Sequence, residues 1–192
     1  MRCTDAQILD WLEPYQATLT RFIGNDQISE VLDRWAEPQR KFHTLGHLKD
    51  VIQCFRPEKM TLVVAAFYHD AVYEPGQRDN ELRSADLLRT HARVDSEGTV
   101  ASAVRIILST ADFRHKEAPD EQAFFRADCQ VLLRDWEDLL VYEEQIRAEF
   151  QNVPEDEYLA GRSAFLENAS GVFPENREFL LRLRNRIQAR RT

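Results

Sequence analysis

Residues 60–73 read MTLVVAAFYHDAVY, and seven of them in a row, Leu62 to Tyr68, are apolar. A membrane span needs about 20 such residues, so this stretch is too short to cross a bilayer. Apolar residues nearly all round predict a buried central helix, although a buried strand would look the same over the first seven positions. The flanking segments carry helical spacing. Upstream, Thr44 can cap a segment in which His47, Leu48, Val51, Ile52 and Phe55 share one side. Before that, Asp26 opens a segment with Ile28, Val31, Leu32 and Trp35 on one face, and Thr4 precedes Ile8, Leu9, Trp11 and Leu12. Pro14 is predicted to break or bend this first helix. Downstream, Asp79 or Asn80 can cap a helix carrying Leu82, Ala85, Leu87 and Leu88, and Ser96 one carrying Val100, Val104, Ile107 and Leu108. Pro119 stands where a first helical residue belongs, with Asp120 and Glu121 suited to the positive end of the helix dipole. Asp135, Pro154 and Pro174 open three more helices in the same way. Alternating strands bounded by tight hairpin turns are absent. The expectation is an all-α fold, one domain over residues 1–192 with about eight to ten helices.

Composition narrows the function. The 192 residues are 43% hydrophobic and 30% charged, an ordinary globular balance. A net charge of −8 disfavours a nucleic-acid polymer as partner, because such partners call for a basic surface that releases counterions. A small phosphorylated molecule is still admissible where a metal or a local cation reverses the field. The opening MRCTDAQILDWLEP lacks the apolar core of a signal peptide, so a soluble, cytoplasmic chain away from membranes is expected. Cys3, Cys54 and Cys129 are too widely spaced for a disulfide framework or a thiolate zinc site.

Chemistry concentrates on few residues. The five histidines are His43, His47, His69, His91 and His115. His69-Asp70 closes the most apolar segment, where an ionisable pair costs several kcal/mol unless it is paired or binds a metal. A buried His–Asp hydrogen bond that merely ends the helix is one reading. The other adds His47, on an inward helix face, and Asp128, among Phe124, Phe125, Val131, Leu132 and Leu133. Imidazole and carboxylate together suit a divalent ion such as Mn, Fe, Co, Ni, Zn or Mg. His47, His69, Asp70 and Asp128 would then be four ligands from three helices.

The order His47, His69-Asp70, Asp128 resembles the H…HD…D pattern of the HD-domain superfamily of metal-dependent phosphohydrolases. A small branch of predicted hydrolases in that superfamily is similar over about residues 35–170, in the stretches KFHTLGHL, AAFYHDAVYEP, DNELRSADLL, STADFRHK, QIRAEF and AGRSAF. Phe42 stands where the branch has Tyr, and Arg126 where it has an acidic residue beside the fourth ligand. The resemblance implies a single HD-type domain that binds a divalent ion and hydrolyses a phosphoester of a small, nucleotide-like molecule. It implies that Asn80 and Glu81 face the cleft, with Glu81 orienting or deprotonating the attacking water. Glu74, one helical turn after Asp70, is the competing acid, and a first-turn Glu81 that only stabilises its helix is the bland alternative. His43 and His115 are implied to bind phosphate or a second ion. Arg147 in QIRAEF is the first choice for a bidentate phosphate clamp, ahead of Arg126 and Lys116, and Arg162 is a similar candidate, more often structural. His91, between Arg89 and Arg93, reads as a solvated residue at a helix end. Two rival functions belong to other classes. One is a metal- or ligand-binding module without turnover, and the other a diiron oxygenase of the same superfamily. A homodimer is compatible with everything in the sequence.

Overall fold

The computed structural model describes residues 5–93, 97–112 and 116–189. Helices dominate, with α1 (Asp5–Phe22), α2 (Asn25–Trp35), α3 (Leu45–Ile52), α4 (Met60–Tyr68) and α5 (Asn80–His91) first. They are followed by α6 (Glu97–Ser109), α7 (Pro119–Asp128), α8 (Trp136–Glu149), α9 (Glu155–Val172) and α10 (Arg177–Gln188). Among the described residues there is no strand, so the all-α expectation holds. Two compact units result. One runs to Asp112 and resumes over Lys116–Ala127, and the other begins at Asp128.

In the first unit the decisive stretch does what its composition requires. Every residue from Leu62 to Tyr68 is buried, and α1, α3, α5 and α6 all pack on α4. A helix apolar all round is stable only when enclosed on every side. The inward face expected of α3 is confirmed, since His47, Leu48, Val51, Ile52 and Phe55 are all buried. The Thr44 side chain accepts from the Gly46 N–H at 3.2 Å, the cap that starts α3 one turn before His47. Phe124 of α7 stacks on Phe55 with ring centres 5.9 Å apart, which ties α7 into the same core.

Two boundaries depart from expectation. The helix α1 continues through Pro14 rather than breaking there. Proline costs a helix one hydrogen bond and about 3 kcal/mol, but Leu12, Tyr15, Leu19 and Phe22 are buried along the same helix and outweigh it. The central helix ends early, at Tyr68, with His69 as its C-cap. Residues 69–76 form a loop instead, because Pro75 disfavours helical backbone at Glu74 and Gly76 takes a positive φ of 88°. Asp79 does occupy the N-cap of α5, without a side-chain cap bond. Thr4 and Ser96, named as caps above, lie outside the described residues.

In the second unit α9 and α10 pack along each other, and both meet the short 3-10 turn Pro174–Asn176. The Asn176 amide donates to the carbonyls of Leu132 and Arg134 at 2.7 and 2.8 Å, pinning that turn to the 3-10 turn Gln130–Leu133. Asp135 caps α8 by accepting from the Asp138 N–H at 3.0 Å, and Pro154 precedes α9, both as expected. Among the described residues no helix is long and apolar enough to cross a membrane.

Candidate metal centre

Three helix ends deliver four side chains. His47 stands in the first turn of α3, His69 caps the C-terminus of α4 with Asp70 following it, and Asp128 is the last residue of α7. Ligand atoms of His47, His69, Asp70 and Asp128 all lie within 4.8 Å of one another. The two histidines are buried, and Asp70 keeps only 15% of its side chain exposed.

The fine geometry fits a cation. His69 Nε2 lies 3.3 Å from His47 Nε2 and 3.3 Å from Asp70 Oδ2. Two ligands each about 2.1 Å from one ion stand roughly 3.0–3.4 Å apart in octahedral or tetrahedral geometry. The second ring nitrogen of His69, Nδ1, is 2.9 Å from the Ala66 carbonyl. A carbonyl only accepts, so Nδ1 carries a proton, which leaves Nε2 as the nitrogen that would ligate an ion. This backing of a ligand histidine by a carbonyl is the usual support in metal sites. Aromatic rings hold the imidazoles in place. Trp35 lies 6.2 and 5.2 Å from the rings of His47 and His69, Phe42 lies 4.8 Å from His47, and Phe124 lies 5.5 Å from His69. Trp35 is itself fixed by its indole N–H, which donates to the Phe67 carbonyl at 3.0 Å.

The other predicted site residues divide. His43 joins the cluster's edge, with Nε2 3.9 Å from Asp70 Oδ2 and its ring 4.1 Å from that of Tyr73. Glu81 sits half-buried in the first turn of α5. Glu74 is exposed and bound to the Arg83 guanidinium at 2.7 Å, which holds its carboxyl below the usual range and makes it the weaker base. Asn80 is a clasp for the loop rather than a cleft-facing donor. Its amide oxygen accepts from the Glu74 N–H and its amide N–H donates to the Glu74 carbonyl, each at 3.0 Å. His115 lies outside the described residues.

The cations behave differently from expectation too. Arg147 donates to Glu155 at 2.6 Å and to the Phe150 carbonyl at 2.7 Å, and lies over the Tyr158 ring at 4.7 Å. Its fork is thus engaged within its own unit. Lys116 donates to the carbonyls of Ser109 and Asp112 and caps the end of α6. Arg126 is exposed on α7. Of the two readings of Arg162 the structural one holds, in a buried pair with Glu143 at 2.7 Å. His91 is not solvated. Its ring bridges the Tyr68 hydroxyl at 3.0 Å and Glu30 at 3.4 Å, and burial lowers its pKa although Glu30 opposes the shift.

Reading the sequence missed the supports beneath the cluster. Ser84 exchanges hydrogen bonds with the Val72 N–H and carbonyl at 3.0 and 3.2 Å. Arg40 reaches the Asp70 carbonyl at 2.7 Å and the Ala71 carbonyl at 3.2 Å. The alternation of Ser84 with buried Ala85 and Leu88 marks an inward face. Arg40, inside the short loop EPQRKF, carries no such mark.

No family model matches this chain, and no curated protein or solved structure matches it.

Proposed function

We propose that His47, His69, Asp70 and Asp128 bind one divalent ion and that the protein hydrolyses a phosphoester of a small, nucleotide-like molecule. The 3.3 Å approach of two imidazole Nε2 atoms, with a carboxylate oxygen equally close, is the observation that carries the metal part. Two imidazole nitrogens and two carboxylate oxygens brought within 4.8 Å of one another form a ligand set that a divalent ion can share. The phosphoester part rests on the similarity of the sequence motifs to HD-type phosphohydrolases. An ion held here would supply Lewis-acid neutralisation of phosphoryl oxygens and a more acidic water.

The chain's own residues take the remaining roles. Glu81 is the favoured proton acceptor, because Glu74 is held ionised by Arg83. His43, its ring tilted and 4.1 Å from that of Tyr73 beside Asp70, would donate to a phosphate oxygen. The net charge of −8 gives an anionic substrate no attraction from the protein as a whole, so an ion held here would supply local positive charge. Metal analysis of the purified protein, followed by a phosphatase screen with Mn, Co, Ni and Mg, tests the proposal. One equivalent of ion and metal-dependent release of phosphate support it. A protein that holds the ion without turnover on any phosphoester would instead be a binding module.

A further inference from the structure

Arg40 is the least expected residue of the first unit. Its side chain is fully buried, and its guanidinium lies between the rings of Trp35 and Tyr73, 5.4 and 5.5 Å from their centres. Nε donates to the half-exposed Glu37 at 3.2 Å. Nη1 donates to the carbonyls of Asp70 at 2.7 Å and His43 at 3.3 Å, and Nη2 to the carbonyl of Ala71 at 3.2 Å. Three backbone oxygens therefore share one planar fork.

Burying a guanidinium is expensive, and a well-packed apolar side chain often stabilises a fold as well or better. The position of its partners gives the charge a purpose. The carbonyls just after a helix have no intrahelical partner, and those of Asp70 and Ala71 follow directly on α4. Arg40 satisfies both, and the same Nη1 takes the carbonyl of His43, four residues before His47. One side chain thus ties the segment entering α3 to the segment leaving α4. These are the two segments that carry His47, His69 and Asp70. With its carbonyl held from behind, the Asp70 backbone is fixed and its carboxylate is aimed at the cluster.

We infer that Arg40 is a positioning residue that sets the affinity and geometry of the metal centre by holding Asp70 in register with His47. This inference rests on the metal-binding reading above. Lysine cannot replace the fork, because a single ammonium does not present coplanar donors to three carbonyls. Loss of such a supporting partner in metal sites typically weakens binding 10–100-fold.

The test uses the metal-stripped full chain, titrated calorimetrically with Mn²⁺ and followed by visible absorption with Co²⁺. Arg40→Lys should weaken Mn²⁺ binding about 10–100-fold and alter the Co²⁺ band, with helix content unchanged. Lys116→Met removes another buried cation of the same unit, bonded to the end of α6. It should lower the melting temperature yet keep the wild-type Mn²⁺ constant and Co²⁺ band. An Arg40→Lys protein with wild-type Mn²⁺ affinity and an unchanged band overturns the inference. Should that variant fail to fold, Glu37→Gln loosens the Nε anchor from the surface. A several-fold weaker Mn²⁺ constant then supports the inference, and an unchanged one overturns it. Wild-type protein that takes up no ion overturns the metal centre itself and this inference with it.

Discussion

Two buried polar groups of this protein, one in each unit, differ in their balance of donors and acceptors. In the second unit the Glu143 carboxylate accepts from the Tyr158 hydroxyl at 2.6 Å with one oxygen and from Arg162 at 2.7 Å with the other. The Arg162 guanidinium also lies over the rings of Tyr142 and Phe165. Burial opposes the charge on Arg162, but Tyr142, Glu143 and Tyr158 more than offset it and its pKa is raised. Burial, then the Glu143 charge, pushes the Tyr158 hydroxyl up as well, so it stays a donor. Each acceptor there meets a donor. In the first unit, Nε2 of His69 lies 3.3 Å from both Nε2 of His47 and a carboxylate oxygen of Asp70. Donors of the chain itself answer the Glu143 carboxylate, although Nη2 of Arg162 finds no hydrogen-bond partner. The two imidazoles and two carboxylates brought together are instead a set that could hold a cation.

Removing one carboxylate from each cluster separates the two most sharply. Glu143→Ala leaves Arg162 charged and buried and should lower stability by about 3–5 kcal/mol, read from denaturant unfolding. Asp70→Asn should have the opposite character. It removes a proposed ligand while keeping the side chain's shape and hydrogen-bonding groups, so the metal-free protein should be about as stable as wild type, while stabilisation by added Mn²⁺ disappears. An Asp70→Asn protein as damaged as Glu143→Ala would make the first cluster an ordinary structural network.

The next contrast lies within the first unit. Glu81→Gln should keep the ion and lower turnover by about a hundredfold or more, the usual loss for a general base. Glu74→Gln should change turnover little, because that carboxylate is already paired to Arg83. Equal losses from both would show that the two acids act together.

Much of this was legible in the sequence. An apolar run of seven residues ending in His-Asp located both the central helix and the cluster, because a helix without a polar face can only be enclosed. Thr44 and Asp135 were readable as caps, since a side-chain oxygen before an apolar periodic segment satisfies open N–H groups. What escaped depended on distant partners. His91 reads as solvated beside Arg89 and Arg93, but Tyr68, 23 residues away, receives it. Asn80 reads as a cleft residue, yet the loop it closes needs both its amide groups. Arg147 reads as a clamp, and Glu155 on the next helix engages it. Local patterns carry helices and caps, whereas the partners of polar side chains are set by packing.

His91 provides a smaller test through pH. Its folded pKa is depressed, so below the unfolded value near 6.5 the unfolded chain binds the extra proton. The stability it contributes is full above that value and is lost as pH falls through the lower folded value. Melting curves from pH 7.5 to pH 5 (on the order of the His range) should decline less for His91→Asn than for wild type. Equal slopes would return His91 to the solvated reading.

The smallest effect is expected at Arg147. Its bridge to half-exposed Glu155 is worth about 0–1 kcal/mol, so Arg147→Ala should shift unfolding slightly and leave the metal constant unchanged. A marked loss of substrate affinity in that variant would restore the phosphate clamp.

The central claim is that the cluster of His47, His69, Asp70 and Asp128 holds an ion, and anomalous diffraction from a crystal equilibrated with Mn²⁺ addresses it most directly. The account predicts one strong peak about 2.0–2.3 Å from the Nε2 atoms of His47 and His69 and from carboxylate oxygens of Asp70 and Asp128. A cluster without a peak at saturating Mn²⁺, or a peak bound only by surface carboxylates elsewhere, would contradict it.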